Sequence, residues 1–133
     1  MIRFGKNLRR DETGAAAVEF AIVAPVAVMI ILGTIEVGRV MFLVNDLQAS
    51  LSTAAREWMI HPDAANSDVT EIFCERAVMV DCDQTTLTVT SQTVDGQDWR
   101  VVTATTPFDS PLSNLLPFPD ELTRAQHVPI YED

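Results

Sequence analysis

The chain has 133 residues and a net charge of −10, from nine Lys/Arg against nineteen Asp/Glu. That length allows one small domain beside a membrane anchor, and the acidic balance argues against a nucleic-acid partner, which needs concentrated cations. The charges are unevenly placed: Arg3, Lys6, Arg9 and Arg10 cluster near the start, whereas from Asp46 onward four arginines face fifteen acids, a net of −11.

Residues 1–14 read as a basic leader. From Ala15 to Ile35 the chain runs for 21 residues with Glu19 as the only charge. At about 1.5 Å of rise per residue a helix of that length spans roughly 31 Å, close to the hydrocarbon thickness of a bilayer. A transmembrane helix is therefore predicted over 15–35. Cations on its N-terminal side hold that end in the cytoplasm and send the rest across. No second apolar run follows, so the topology is single-pass. A secretory signal peptide also starts with basic residues, but its small-x-small site follows the apolar core. Here Ala15-x-Ala17 precedes the core, and Ile31-Leu32-Gly33 is a poor substitute. Pro25 removes a backbone donor, which predicts a kink near Ala21–Ala24. Ala17, Ala21, Ala24 and Ala27 recur at spacings of three and four; they permit close helix approach, or serve only as good helix formers facing lipid.

Glu19 needs a reason. A charge inside a membrane helix costs roughly 2.5 kcal/mol or more, so it usually has a partner or a task. Ala15 lies four residues earlier, directly after Gly14. Cutting the bond between them would create an α-amino cation one helical turn from the carboxylate. At the far end of the span, Glu36 and Arg39 share one helical face at the membrane–water boundary, where they can pair. Beyond them the pattern turns amphipathic over 36–60. Val40, Leu43, Val44, Leu47, Leu51, Ala54, Ala55 and Trp58 form the apolar face, and Asn45, Asp46, Gln48, Ser52, Arg56 and Glu57 form the other. One helix from about Ala15 to Met59 is predicted, stopped by His61-Pro62.

The run Gly14-Ala15-Ala16-Ala17-Val18-Glu19-Phe20, behind a basic leader and heading an apolar helix, resembles the processing site of type IV prepilins. With Ile35-Glu36-Val37-Gly38-Arg39 at its far end, it resembles the TadE-like family of the tight-adherence (Flp-type) pilus system. The likeness covers roughly residues 13–60 well and the remainder loosely. Glu36-x-Gly38-Arg39 matches a feature of those proteins, while Phe20 stands where many prepilins carry tyrosine. The resemblance implies cleavage after Gly14 by a prepilin peptidase and retention of the apolar helix in the product. It also implies a pilin-like plan, in which the outer half of the long helix packs on an antiparallel sheet.

Residues 61–133 read as a small exported domain, giving an α+β fold overall. Asp63–Ser67 is a polar loop, and Asn66 or Ser67 can cap a second helix near Asp68–Met79, with Val69, Ile72, Phe73, Ala77 and Val80 as its apolar face. Cys74 and Cys82 are the only cysteines; in an exported location they can pair, the alternative being two free thiols. Thr85–Thr93 alternates as a strand, Asp95-Gly96 marks a turn, and Trp99–Thr106 forms the second arm of a hairpin with a somewhat long connection. Pro107, Pro111, Pro117 and Pro119 interrupt a loop whose Leu112, Leu115, Leu116 and Phe118 predict packing over the sheet or on a neighbouring subunit. A third strand over Leu122–Ile130 is confined by Pro129 to an edge or to its own end.

Nothing in the sequence supplies a nucleophile elbow, a phosphate loop or a zinc spacing. Asp81 and Asp83, or Asp95 and Asp98, could bind calcium, but as turn residues they have a simpler explanation. His61 precedes a helix-ending proline and His127 alternates within an expected strand, and neither has a neighbour that suggests an acid–base role. The expectation is a chain with no catalytic residue, metal, cofactor or small-molecule substrate, and one processed by an enzyme. Its expected function is that of a minor pilin-like (pseudopilin) subunit in the inner membrane. It would have a periplasmic domain and partner the prepilin peptidase, other pilin-like subunits and the pilus assembly machinery. The alternatives are an unprocessed single-pass scaffold of the cell envelope and, less economically, a membrane-tethered exported enzyme.

Overall fold

A computed structural model describes residues 12–130; the predicted basic leader lies outside the described residues up to Asp11. The element order is α1 (Glu12–Ile60), α2 (Asn66–Arg76), β1 (Thr86–Val94), β2 (Gln97–Pro107) and β3 (Glu121–Pro129). The fold is α+β, with one three-stranded antiparallel sheet in the order β1-β2-β3. The chain divides into two compact units, one ending at Val37 and one beginning at Gly38.

The first unit is the apolar part of α1. It is described from Glu12 onward, three residues ahead of the predicted Ala15. Pro25 sits inside the helix without ending it. Phe20, Ile22, Val26, Met29, Ile30 and Ile35 are all exposed, an all-round apolar surface. The Thr34 hydroxyl donates to the Ile30 carbonyl at 2.8 Å, which satisfies this polar group within the helix itself.

In the second unit the rest of α1 buries a single stripe: Leu47, Leu51, Ala54, Ala55 and Trp58. These pack with Val69 and Phe73 of α2, with Val80, and with Val102, Ala104 and Val128 of the sheet. The helix stops where predicted. The His61 amide donates to the Glu57 carbonyl at 2.7 Å, and Pro62 then disfavours a helical His61. The Trp58 indole reaches back to the Ala64 carbonyl at 2.9 Å.

Three local expectations are corrected. Neither Asn66 nor Ser67 caps α2. The cap residue is Ala65, and Asp68, at the third helical position, accepts its amide at 3.2 Å. Helix α2 also ends at Arg76 rather than near Met79, because the amides of Val78, Met79 and Val80 are taken by Asp46. The hairpin connection is tight. Val94 pairs with Gln97, and Asp95 and Gly96 have φ of 54° and 79°, the two positive values that a two-residue type I′ turn demands.

The sheet turns Leu87, Val89, Val102, Ala104 and Val128 toward the core. Its opposite face carries Thr86, Thr88, Thr90, Thr103, Thr105 and Thr123, and the Thr105 and Thr123 hydroxyls meet at 3.1 Å. Pro129 is the last residue of the edge strand β3, where its missing N–H removes least from the ladder. The other edge strand, β1, contains no charge and no proline.

Candidate functional site

The residues singled out near the start of α1 lie on one continuous helix. Gly14, Ala15, Ala17, Glu19, Phe20 and Ala21 are all exposed, and a side chain added at Gly14 would meet nothing within 4 Å. Gly14 and Ala15 are helical, so a peptidase that reads extended backbone must first unwind this end. Glu19 follows Ala15 by four residues, one turn of helix. Among the described residues α1 is the one helix long and apolar enough to cross a membrane.

Glu36 is buried at 5% exposure, unusual for a carboxylate. Arg39 donates through Nη2 to the Asp109 carbonyl, and its guanidinium lies 4.8 Å from the centroid of the Phe108 ring. That contact secures the long loop between β2 and β3.

One residue that the sequence pattern hid organises the domain. Asp46 belongs to the polar face of the sequence pattern, yet its Oδ2 accepts three successive amides: Val78 at 3.0 Å, Met79 at 2.7 Å and Val80 at 3.1 Å. Consecutive N–H groups converging on one oxygen form an anion nest, filled here by the protein's own carboxylate. The same segment is enclosed by the disulfide between Cys74 and Cys82, whose Cα atoms are 5.8 Å apart. Asp46 lies between Val44 and Leu47 at the border of the apolar stripe, a faint hint of inward orientation. Its backbone partners have no sequence signature at all. Ser50, equally unforeseen, is fully buried with its hydroxyl unpartnered.

The groups considered for chemistry are not brought together. The His61 ring pairs with Glu57 at 2.7 Å, and His127 meets the edge of Trp99 with centroids 6.5 Å apart. Asp81 organises its own turn, accepting the Asp83 amide and the Gln84 side chain, each at 3.0 Å. Asp98 accepts the Thr93 hydroxyl. Among the described residues no three His, Cys, Asp or Glu side chains are grouped to hold a metal ion. An open groove of about 570 Å³, lined by residues including Gln84, Thr86, Thr105, Asp120 and Glu121, offers two carboxylates and two hydroxyls but no histidine, lysine or arginine beside them.

Comparison with protein families matches one description, TadE-like protein, over residues 14–56. Over that segment, about a third of the chain, the sequence is similar to TadE-like proteins. The match opens on Gly14 and takes in Glu19, Phe20, Pro25, Glu36, Arg39 and Asp46; α2, the disulfide and the sheet lie beyond it. No curated protein and no solved structure matches the chain. The long apolar helix that runs through the matched segment suggests membrane anchoring.

Proposed function

We propose that this chain is a minor pilin-like (pseudopilin) subunit for assembly of a tight-adherence type IV pilus, cleaved after Gly14 by a prepilin peptidase. The observation that carries this reading is a TadE-like match that opens on the glycine itself, at the head of a helix whose apolar surface is exposed on all sides. In this reading the leader stays cytoplasmic, residues 15–35 span the inner membrane, 36–60 continue the helix outward, and 61–133 complete a periplasmic domain. The retained helix first anchors the subunit and then packs against other pilin-like subunits, with Ala17, Ala21 and Pro25 at the close approaches. The chain itself catalyses nothing.

Glu19 acquires a task in this scheme. Cleavage leaves an ammonium on Ala15, at the helix end whose dipole already disfavours a cation. A carboxylate one turn on neutralises it, within its own subunit or from the next, where the low dielectric strengthens the attraction. At the far end of the apolar run, Glu36 and Arg39 follow each other by three residues on α1, a spacing that suits an interfacial charge pair.

The test is the N-terminal residue of the mature chain. Co-expressed with its peptidase, the parent should be recovered with Ala15 first, and Gly14→Ala should retain the leader. The space around Gly14 means that a methyl there disturbs nothing in the fold. Normal shortening of Gly14→Ala would refute the cleavage assignment. A parent recovered from its native membrane with the leader attached would favour an unprocessed single-pass scaffold.

A further inference from the structure

The loop between β2 and β3 has a composition at odds with its surroundings. Ser110–Pro119 is ten residues without a charge, bounded by Asp109 and Asp120, in a chain whose portion from Asp46 onward carries a net of −11. The loop is ordered. The Phe108 amide donates to the Asp120 carbonyl at 2.8 Å and closes its neck, and the Leu115 and Leu116 amides both donate to the Leu112 carbonyl at 2.9 and 2.8 Å. The Ser110 hydroxyl accepts the Leu112 amide at 3.1 Å, and the Phe108 and Phe118 rings pack at 6.2 Å. This turn holds Leu115 at 66% exposure and Leu116 at 41%. Adjacent leucines held in the open on a built turn are a surface awaiting an apolar partner.

Its anchorage indicates which partner. The loop is fastened by Arg39, which holds the Asp109 carbonyl and covers Phe108. Arg39 follows the end of the apolar run, Ile35, by four residues. On the same stretch of α1, Met41 and Phe42 are also exposed, at 61% and 67%. The loop is thus tied to the part of the helix that follows the membrane-spanning run.

We propose that Ser110–Pro119 docks on the lipid surface, with Leu115 and Leu116 entering the headgroup–acyl boundary of the bilayer that α1 crosses. A phospholipid surface suits a neutral stretch flanked by acids, because the leucines can be buried while Asp109 and Asp120 remain in water. The attraction is apolar, so zwitterionic lipid is sufficient, and the acidic body should make anionic lipid a poorer surface. This inference rests on reading α1 as a membrane helix.

The test places one tryptophan at a time in the full chain, Ile30→Trp within the span and Leu116→Trp in the loop, reconstituted sparsely in phosphatidylcholine vesicles. All of these positions are exposed, and Leu115→Trp provides a second loop variant. Each variant is compared with the parent in lipid brominated along its acyl chains. The expected result is quenching of the added emission at both 30 and 116, with 116 reporting a position about 5–10 Å into the boundary. Quenching at 30 without quenching at 116 or 115 overturns the docking and leaves the anchor intact. Quenching at neither overturns the anchor and the docking together. Loop emission that ignores bromine but shifts to the blue as protein-to-lipid ratio rises assigns the leucines to a second copy, and also overturns the proposal.

Discussion

Asp46→Ala is the substitution whose cost follows most directly from geometry. Three amides lie within 3.1 Å of one carboxylate oxygen, and hydrogen bonds to a charged group contribute roughly 1.5–3 kcal/mol each. Simple addition overstates the loss. Val78 and Met79 are 83% and 51% exposed, so their amides recover water once the carboxylate is gone, whereas Val80 is buried. Counting one amide at full cost and two at a fraction, Asp46→Ala should destabilise the domain by about 2–4 kcal/mol, and Asp46→Asn, which keeps an acceptor without the charge, by about half as much. The measurement is urea unfolding of the full chain in detergent micelles, followed by fluorescence of the buried Trp58. Asp63→Ala, on an exposed loop, serves as the control and should stay within about 0.5 kcal/mol of the parent. If Asp46→Ala lies as close to the parent as that control, the carboxylate does not hold the segment and the reasoning fails. In a double-mutant cycle, removing both Cys74 and Cys82 should deepen the cost of Asp46→Ala by about 0.5–1.5 kcal/mol, since the two restraints act on one stretch of backbone.

Reduction of the Cys74–Cys82 bond, which closes a loop with a sequence separation of eight, should lower stability by about 2.6 kcal/mol in the chain-entropy treatment; urea midpoints with and without reductant measure it. Gly96→Ala forces a side chain into a residue at φ 79° and should cost about 1–2 kcal/mol, while Asp95→Asn, which tolerates the same region, should be nearly silent by the same assay. Phe73→Ala removes a fully buried ring from the contact between α2 and α1 and should cost about 3–5 kcal/mol, seen as a lowered urea midpoint. Glu19→Gln should leave that midpoint unchanged, because Glu19 is exposed at the apolar end of α1, while reducing pilus assembly in cells measured as surface fibre.

The parts legible in the sequence are those governed by periodicity and by local chemistry. An unbroken apolar run, then a stripe at spacings of three and four, gave α1 to within three residues at its start and one at its end, because burial follows the helical period. His61-Pro62 gave the stop, and alternation among threonines and valines gave β1. Errors arose wherever a distant atom decided a local matter. The end of α2 depends on an aspartate more than thirty residues earlier, which removes the amides that another helical turn would use. Asp46 looked solvent-facing because its amphipathic pattern records side-chain polarity and cannot show that a backbone segment will arrive to meet it. The polar Gln97 and Asp98 carry a loop-like composition, yet in the structure they continue the ladder opposite Val94 and Thr93, which shortens the hairpin connection. Of the two placements expected for the loop leucines, Leu115 and Leu116 do not cover the sheet; they face outward, as packing on a neighbouring subunit would require. Near the start of α1, the sequence conveyed the spacing Gly14–Glu19 fully, since one helix carries both.

The outermost strand, β1, has one consequence of its own. Nine residues without lysine, glutamate or proline leave a row of amides and carbonyls with none of the usual guards against pairing with a stranger. Such a rim offers backbone pairing to the same strand of another copy. The domain expressed without its helix would lose the outer half of its core, and would also be free to grow sheet upon sheet.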